Sequence, residues 1–398
     1  MKSTIKVLIA FMAVLLVMAG CEYDVAQPQW EQEQTDPPLP VITSMNPVSG
    51  DAGVNVITIE GENFAEESGR NRVYFDNMEA EILDFSTTAI TVRRPDLVND
   101  SAIVKVVSYD ALLVATYSPY FMASVQEVYG NFIEGNVLSG LTVDENENLY
   151  VLETSATGSR NVMQVTPDGD KEQVGVLGTV NASGLVISPE GRLIVLFNDS
   201  ELQQVNPDAA VDSAAFWTEV QKRVKYGDFD KHGNMYVGSR SSDLIYINHT
   251  DLTATQLGLY ARDEIFCVQV YQDYVYVLVE LRSGEPELAI WRHAILDANG
   301  QLGDAELVLD WSQTGEYAET TPAGFLMDEN GNLYVGTDHT NPLLVVYSTG
   351  EADIFYKDIL PTPITKMTWG TGTSAYMIIA GDQNTVIRVD LGVNAASK

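Results

Sequence analysis

Basic side chains and cysteine are scarce in this 398-residue sequence. Lysine and arginine number 22 against 56 aspartate and glutamate residues, which gives a formal net charge of −34. Because phosphate binding needs a basic surface, this balance excludes nucleic acid as an expected partner. An acidic surface favours solubility in an exposed compartment, and cation binding is the alternative interpretation. The two cysteines, Cys21 and Cys267, are too few for a disulfide framework, and the apolar run around Cys267 indicates a small buried residue.

Several catalytic signatures are also missing. The four histidines, His232, His249, His293 and His339, do not have the spacing of metal ligands, and there is neither a Gly-x-Ser-x-Gly motif nor a Walker loop. Two Asp-x-Asn-x-Asn stretches begin at Asp144 and Asp328, but leucine replaces the glycine that an EF-hand loop requires. We therefore interpret both stretches as hairpin turns and predict neither a resident metal nor another cofactor.

The one long apolar run lies at the N-terminus. Residues 7–19 are too few to cross a bilayer core as a helix, which takes about 20 residues. Two lysines precede the run and small residues follow it, which predicts an export signal over residues 1–20. The sequence Ala19-Gly20-Cys21 resembles the bacterial lipobox, which implies lipidation of Cys21 and attachment to a membrane. A plain cleaved signal is the alternative.

Residues 21–39 are acidic, rich in glutamine and proline, and nearly free of apolar clusters. Such a segment buries too little surface to offset its ordering entropy, so it is predicted to be a flexible tether. Glu22 and Asp24 lie just after the cysteine, which resembles the surface-export signal of some Gram-negative lipoproteins that serve glycan uptake. The resemblance implies a lipid-anchored outer-membrane protein facing the cell exterior. Removal of residues 1–20 changes the charge to 20 − 56 = −36.

Residues 40–123 contain short alternating runs separated by glycine, proline and asparagine. Several such strands in about 80 residues predict a small immunoglobulin-like sandwich. Pro47, Ser49-Gly50, Gly53 and the run ITIEGENF at 57–64 resemble the IPT/TIG family, as do VYF at 73–75 and the stretch 86–95. Members of that family are spacers or binding modules rather than enzymes, which implies a rigid spacer here.

A repeated unit occupies residues 124–398. Its second strand follows a turn of the type Asp-x-x-Gly-Asn, as in DKHGNMYVG at 230–238 and DENGNLYVG at 328–336, and DENENLYVL at 144–152 differs by Glu147 at the glycine position. Successive units lie about 40 to 58 residues apart, and none shows a convincing helical period. Gly233 and Gly331 allow a positive φ, and the aspartate can bind backbone N–H groups within the turn. Six units predict a six-bladed β-propeller.

The core of these turns resembles that of NHL-type propellers, most clearly in units one, three and five. The sixth unit lacks a fourth strand of its own. Residues 124–132 precede the first unit and are predicted to supply that strand, so that both ends of the domain close the ring and no sheet edge is left exposed.

Side chains around the predicted channel are the candidates for ligand contact. Each belongs to a loop or strand end that converges on the channel mouth: Tyr226, Arg240, Phe266, Asp338 and His339. Lys366, in the sixth unit, is expected to face the same opening. Aromatic rings offer a sugar an apolar face and polar groups fix its hydroxyls, although ordinary packing is the alternative for each residue.

A second set of side chains suits a metal-dependent reaction. Glu153, Asn198, Asp338 and Asp382 all follow second strands. They loosely resemble the carboxylates and amides that surround the metal of lactonase-like propellers. Because acidic and amide residues are common in loops, we treat this set as the alternative.

The order of lipobox, tether, sandwich and propeller resembles that of lipoproteins found with Sus-type outer-membrane glycan-uptake systems. This resemblance implies a non-catalytic surface protein that binds a polysaccharide or oligosaccharide. Its expected partners also include the outer-membrane transporter with its lipoproteins, and the membrane itself through the lipid anchor. A metal-dependent lactonase or lyase and a purely protein-binding scaffold are the alternatives.

Overall fold

The computed structural model describes residues 38–109, 111–178, 181–197, 200–207, 214–381 and 384–397. Cys21, the predicted export signal and nearly all of the predicted tether therefore lie outside the described residues. Within the described residues the chain forms β-strands, and its helices are two 3₁₀ turns, Trp311–Gln313 and Gly315–Tyr317. The prediction of an all-β protein is confirmed. None of these helices is long and apolar enough to span a membrane.

The first domain is a sandwich of two antiparallel four-stranded sheets, with strand orders β1-β2-β6-β5 and β4-β3-β7-β8. Its core follows from alternation, since every second residue of a strand points to the same face. Ile57 and Ile59 of one sheet and Val73 and Phe75 of the other are fully buried between the sheets. The strands are β1 (Val41–Asn46), β2 (Val56–Glu62), β3 (Asn71–Phe75), β4 (Met78–Ala80), β5 (Ile82–Phe85), β6 (Ala89–Arg93), β7 (Asn99–Ser108) and β8 (Ala115–Met122).

Six four-stranded sheets follow, and each is an antiparallel blade numbered here in chain order. Blade one comprises β10 (Val137–Val143), β11 (Leu149–Thr154), β12 (Arg160–Val165) and β13 (Lys171–Leu177). Blade two comprises β14 (Ala182–Ile187), β15 (Leu193–Phe197), β16 (Glu201–Val205) and β17 (Ala215–Glu219). Blade three comprises β18 (Tyr226–Phe229), β19 (Met235–Gly238), β20 (Ile245–Ile247) and β21 (Ala254–Gln256). Blade four comprises β22 (Glu264–Tyr271), β23 (Tyr274–Glu280), β24 (Leu288–Ile295) and β25 (Leu302–Asp310). Blade five comprises β26 (Pro322–Met327), β27 (Leu333–Thr337), β28 (Leu343–Val346) and β29 (Ala352–Ile354). Blade six comprises β30 (Ile364–Trp369), β31 (Ser374–Ile379), β32 (Thr385–Asp390) and β9 (Gln126–Tyr129).

The blades form a closed ring. The first strand of each blade contacts the first strand of the next, and β30 of blade six contacts β10 of blade one. The ring is completed within blade six, where β9 pairs antiparallel with β32 and Tyr129 lies opposite Val386. The prediction that residues 124–132 supply the missing fourth strand is confirmed.

The repeated turn has the structure that its residues predict. The Oδ1 atom of Asp328 accepts hydrogen bonds from the backbone N–H groups of Asn330 at 2.9 Å and Asn332 at 2.8 Å. Its Oδ2 atom accepts from the side-chain amide of Asn332 at 2.7 Å. Gly331 has a φ of 79°, in the left-handed region that favours glycine. The same bonds form at Asp144 and Asp230, so one local device sets the inner hairpin in blades one, three and five.

The sandwich packs against blade five through polar contacts. Arg93 pairs with Asp353 at 3.0 Å, and Asn55 donates to the carbonyl of Ile354 at 2.8 Å. The Tyr356 hydroxyl accepts from the backbone N–H of Gly53 at 2.6 Å. A Cβ atom on Gly53 would lie 2.8 Å from the Cα atom of Gly392, so this close approach needs glycine. These contacts fix the sandwich on one side of the ring.

Candidate functional site

A central cavity of about 100 Å³ lies where the six blades meet. Residues from the first strand of every blade line it, which places it on the axis of the ring. Because first strands begin on the face that carries the loops between blades and end at the hairpin turns, the cavity occupies the loop side of the channel. We call it the loop-side cavity.

Five of the six first strands bulge just before they reach this cavity, for example between Ile364 and Lys366. A bulge re-aims the next side chain, and it is common beside functional sites. At the equivalent position of each first strand, one residue lines the cavity at the same height along the channel axis. These six residues are Gly140, Gly184, Tyr226, Cys267, Gly324 and Lys366. At Gly140 a Cβ atom would lie 2.9 Å from the backbone nitrogen of Leu185, so close strand packing requires glycine. Three side chains therefore occupy this level: a phenol, a thiol and an ammonium group.

The ammonium of Lys366 lies over the ring of Tyr226, with Nζ 3.9 Å from the ring centroid. A cation above an aromatic face is attracted by the ring quadrupole, by roughly 2 kcal/mol when the pair is desolvated. Burial is the main cause that lowers the pKa of Lys366 to about 8; Cys267 opposes this shift, and the nearby charge of Lys225 adds to it. Burial also raises the pKa of Tyr226 to about 12 and that of Cys267 to about 11. At neutral pH the phenol and the thiol are therefore uncharged.

Polar groups from other blades complete the wall. Lys225 precedes β18, and Asp228, Gln269, Thr142 and Thr368 lie one step deeper along the axis. The carboxylate of Asp228 accepts hydrogen bonds from the backbone N–H groups of Val270 and Phe229, both at 2.9 Å. The cavity thus combines amide, hydroxyl, carboxylate and ammonium groups with one aromatic ring, a mixture suited to holding a polar ligand.

A second cavity of about 460 Å³ lies at the hairpin-turn end of the channel. It shares Thr142, Gln269 and Thr368 with the loop-side cavity, and Trp369 lines its wall. The C-terminal segment borders it as well, because the backbone N–H of Ala396 donates to Met327 at 2.9 Å and that of Gln272 donates to Ser397 at 2.8 Å. Nothing in the repeat pattern of the sequence indicated that this segment reaches the channel.

The structure separates the five predicted ligand-binding residues. Tyr226 lines the loop-side cavity, whereas Arg240 is exposed and pairs with Glu264 at 3.3 Å. Phe266 is half-buried against the core cluster between blades four and five. Asp338 accepts a hydrogen bond from the backbone N–H of Thr321 at 2.9 Å. The ring of His339 lies 4.5 Å from that of Tyr317, centroid to centroid. Tyr226 and Lys366 are brought together, and the other four are not among the residues that line the cavity.

The alternative metal set is only partly described, since Asn198 and Asp382 lie outside the described residues. Glu153 is buried and accepts a hydrogen bond from the Asn136 amide at 2.9 Å. No three His, Cys, Asp or Glu side chains within the described ranges are grouped so that they can hold a metal ion.

Sequence reasoning did not propose the other polar residues of the cavity, among them Lys225, Cys267, Gln269, Asp228, Thr142 and Thr368. The repeat pattern of the sequence did indicate one of these residues. When the six first strands are aligned, Cys267 occupies the same column as Tyr226 and Lys366, so the repeat itself places these three side chains around one axis. Lys225 lies before its strand, outside the repeated pattern.

Comparison with protein families identifies the first domain. Residues 40–120 match the sequence model of the IPT/TIG domain, which confirms the resemblance found for this segment. A curated cyclomaltodextrin glucanotransferase of Bacillus sp. (strain 1-1) is 32% identical over 113 residues, or 28% of this chain. The match spans only 15% of the length of that relative.

Comparison with solved structures extends over both domains. An auxiliary nutrient-binding protein from Bacteroides thetaiotaomicron aligns over 88% of this chain and 97% of its own, with a TM-score of 0.53 and 12% identity. The calcium-binding protein regucalcin from Agrobacterium tumefaciens aligns over 69% of this chain and 95% of its own, with a TM-score of 0.52 and 13% identity. At these identities the likeness concerns the fold: a two-domain match in the first case and a propeller-sized match in the second.

Proposed function

We propose that this protein is a lipid-anchored surface protein that captures a glycan at the loop face of its propeller and does not catalyse a reaction. The observation that carries the proposal is the loop-side cavity. There, Lys225, Lys366, Gln269 and two threonines from different blades converge beside the ring of Tyr226. Loops from all blades surround this point on a rigid scaffold, which is where propellers present ligand sites.

Two further observations support this proposal. The two-domain likeness to a nutrient-binding protein of Bacteroides thetaiotaomicron extends over both the sandwich and the propeller. The lipobox at Ala19-Gly20-Cys21 and the acidic residues after it favour attachment to the outer membrane, facing outward. In that proposed location the sandwich acts as a spacer between the lipid anchor and the propeller, and an outer-membrane transporter with its lipoproteins is the proposed neighbour.

One contact refines how a sugar would use Tyr226. Lys366 already covers one face of the Tyr226 ring, so that face cannot stack on a sugar. The ring therefore acts mainly by orienting the ammonium, and the remaining ring surface and the polar groups contact the ligand.

Calorimetry of residues 22–398 against a panel of neutral and acidic polysaccharides tests the proposal. We expect binding that survives a metal chelator and is lost in Tyr226→Ala. Phe216→Ala is the matched control, because it removes an exposed aromatic ring from the outer strand β17, away from the channel. No binding to any glycan, together with binding to a purified transporter complex, would instead establish a protein-binding scaffold.

A metal-dependent enzyme is the second candidate function. The likeness of the propeller to the calcium-binding protein regucalcin supports this candidate. Turnover of a lactone only with added divalent metal would establish this alternative. Glu153, Asn198, Asp338 and Asp382 would then be the first residues to replace.

A further inference from the structure

Two lysines, Lys225 and Lys366, line the loop-side cavity, whose lining includes a single carboxylate, that of Asp228. Among the described residues, neither Lys225 nor Lys366 forms an ion pair with an acidic side chain. The carboxylate of Asp228 lines the same cavity, but its oxygens accept the backbone N–H groups of Val270 and Phe229. With both lysines protonated, the cavity carries one positive charge in excess, inside a protein whose formal charge is −34.

We infer that the loop-side cavity is a subsite for one oxyanion, a carboxylate or a sulfate group of an acidic sugar, held by Lys366 and Lys225. This inference rests on the proposed function and names the class of glycan that it captures. Both kinds of group present the same chemistry, namely negatively charged oxygens that accept charge-assisted hydrogen bonds from ammonium groups.

The size of the cavity agrees with a single acidic group. A water molecule needs about 10–15 Å³ measured with a water-sized probe, so a cavity of about 100 Å³ holds several waters. A carboxylate or sulfate can replace those waters and keep hydrogen bonds to Gln269, Thr142 and Thr368. The rest of the sugar then lies at the mouth, among the loops between blades.

The environment of Lys366 also favours a bound oxyanion. A largely desolvated ammonium without an ion-pair partner is unfavourable, and groups with strongly shifted pKa values concentrate at functional sites. The ring of Tyr226 offsets part of this cost and holds Nζ in place. A bound oxyanion would supply the missing counter-charge. The wider negative surface does not prevent this, because charges beyond about 8 Å are largely screened at physiological ionic strength.

The inference also predicts a direction for pH. The groups that face Lys366 are Lys225, Asp228, Gln269 and the neutral Tyr226 and Cys267. The pKa of Lys366 is about 8 in the free protein, and a bound oxyanion raises it by favouring the charged form. Binding therefore takes up a proton above that pH, and affinity for the acidic probe falls as the pH rises from 7 to about 9.5.

The experiment uses residues 22–398 and pairs of probes that differ only in charge. The pairs are polygalacturonate with its methyl ester, for the carboxylate, and dextran sulfate with dextran, for the sulfate. We expect one acidic probe to bind at least about tenfold more tightly than its neutral partner. The pair that shows the preference identifies which oxyanion the subsite takes.

Variants then locate the preference. Lys366→Met and, independently, Lys225→Met are expected to weaken binding of the acidic probe about tenfold more than binding of its neutral partner. Lys366→Arg should retain the preference because it retains the charge. Lys171→Met is the matched control, since Lys171 lies on the outer strand β13 and bonds the carbonyl of Asn131.

Two results would overturn the inference. Equal affinity for charged and neutral partners would remove the oxyanion subsite and leave glycan capture in place. An acidic preference that survives both Lys366→Met and Lys225→Met would place the anion elsewhere. Conversely, binding of the galacturonate monomer without binding of any polysaccharide would retain the subsite and contradict the proposed glycan capture.

Discussion

The guanidinium of Arg93 in the sandwich forms two hydrogen bonds with the carboxylate of Asp353 in blade five, at 3.0 and 3.2 Å. The same side chain also contacts Glu81 at 3.1 Å and the carbonyl of Ile354 at 3.1 Å. Only 10% of the Arg93 side chain is exposed. A bidentate, largely buried pair of this kind fixes orientation as well as distance, so the two domains behave as one body.

Replacing this arginine is expected to loosen the domains. Arg93→Leu leaves Asp353 without its partner at a half-buried position, and we expect a loss of about 1–3 kcal/mol in the free energy of unfolding. Urea unfolding measures this loss, and X-ray scattering in solution should show a broader distribution of molecular dimensions. Arg72→Leu is the control, because Arg72 pairs with Glu79 at 3.7 Å with both side chains half exposed. Equal effects of the two variants would contradict a special role for Arg93.

The half-buried lysine of the channel, Lys366, should reduce stability. The pKa of Lys366 is about 8 in the folded protein, below its ordinary value of 10.5, so the unfolded chain binds this proton more tightly. Stability therefore rises with pH between these two values, and below about pH 8 the charged group carries its full cost. Lys366→Met should thus stabilise the protein at pH 7 by about 1–2 kcal/mol after loss of the contact with Tyr226.

Denaturant unfolding of the wild type and Lys366→Met at pH 7 and at about pH 10 tests this expectation. The advantage of the variant should shrink at the higher pH, because the lysine is then neutral in the folded state as well. A variant that is less stable at pH 7 would mean that the lysine is a structural residue.

The repeated turn allows a test of how burial affects the contribution of a hydrogen bond to the free energy of unfolding. Asp328 is almost fully buried, and removing its carboxylate leaves the N–H groups of Asn330 and Asn332 unsatisfied. Asp328→Ala should lower the unfolding free energy by about 2 kcal/mol or more. Asp297 makes the same pair of bonds, to the N–H groups of Asn299 and Gln301, but it is exposed. Asp297→Ala should cost clearly less in thermal unfolding, and similar losses would show that burial is not the cause.

The proposed attachment to the membrane rests on Cys21, which lies outside the described part of the chain. If Cys21 is lipidated, Cys21→Ala should leave the precursor unprocessed or release the protein from the membrane fraction. Fractionation followed by mass spectrometry of the N-terminus measures both outcomes. Ser3→Ala, a small change within the predicted signal, should alter neither. A Cys21→Ala variant that is processed and fully membrane-bound would contradict the lipoprotein proposal.

Local periodicity made the architecture predictable. The hydrogen bonds of the Asp-x-x-Gly-Asn turn lie within five residues. The residue types at positions such as Asp328 and Gly331 are therefore sufficient to predict the turn. The closing strand was predictable because the sixth unit lacked one. The repeat therefore defined both the blades and their order.

The site was less predictable because side-chain partners come from distant parts of the chain. Arg240 and His339 follow second strands as expected, but each has a partner, Glu264 and Tyr317, that draws it into a loop contact. Lys225 lies outside the repeat, and only the closed ring brings it near Lys366. The C-terminal segment reaches the channel through backbone hydrogen bonds, which leave no trace in residue type.

The short connection between the domains has a mechanical consequence. Only three residues separate β8 of the sandwich from β9, the strand that closes the ring. Tension applied from the N-terminal side therefore reaches β9 directly, but it is shared with the pair Arg93 and Asp353 on blade five. Because the sandwich is held there, it cannot swing outward and peel β9 from β32 one hydrogen bond at a time. The domain contact thus protects the ring against strand-by-strand opening by tension from the N-terminal side.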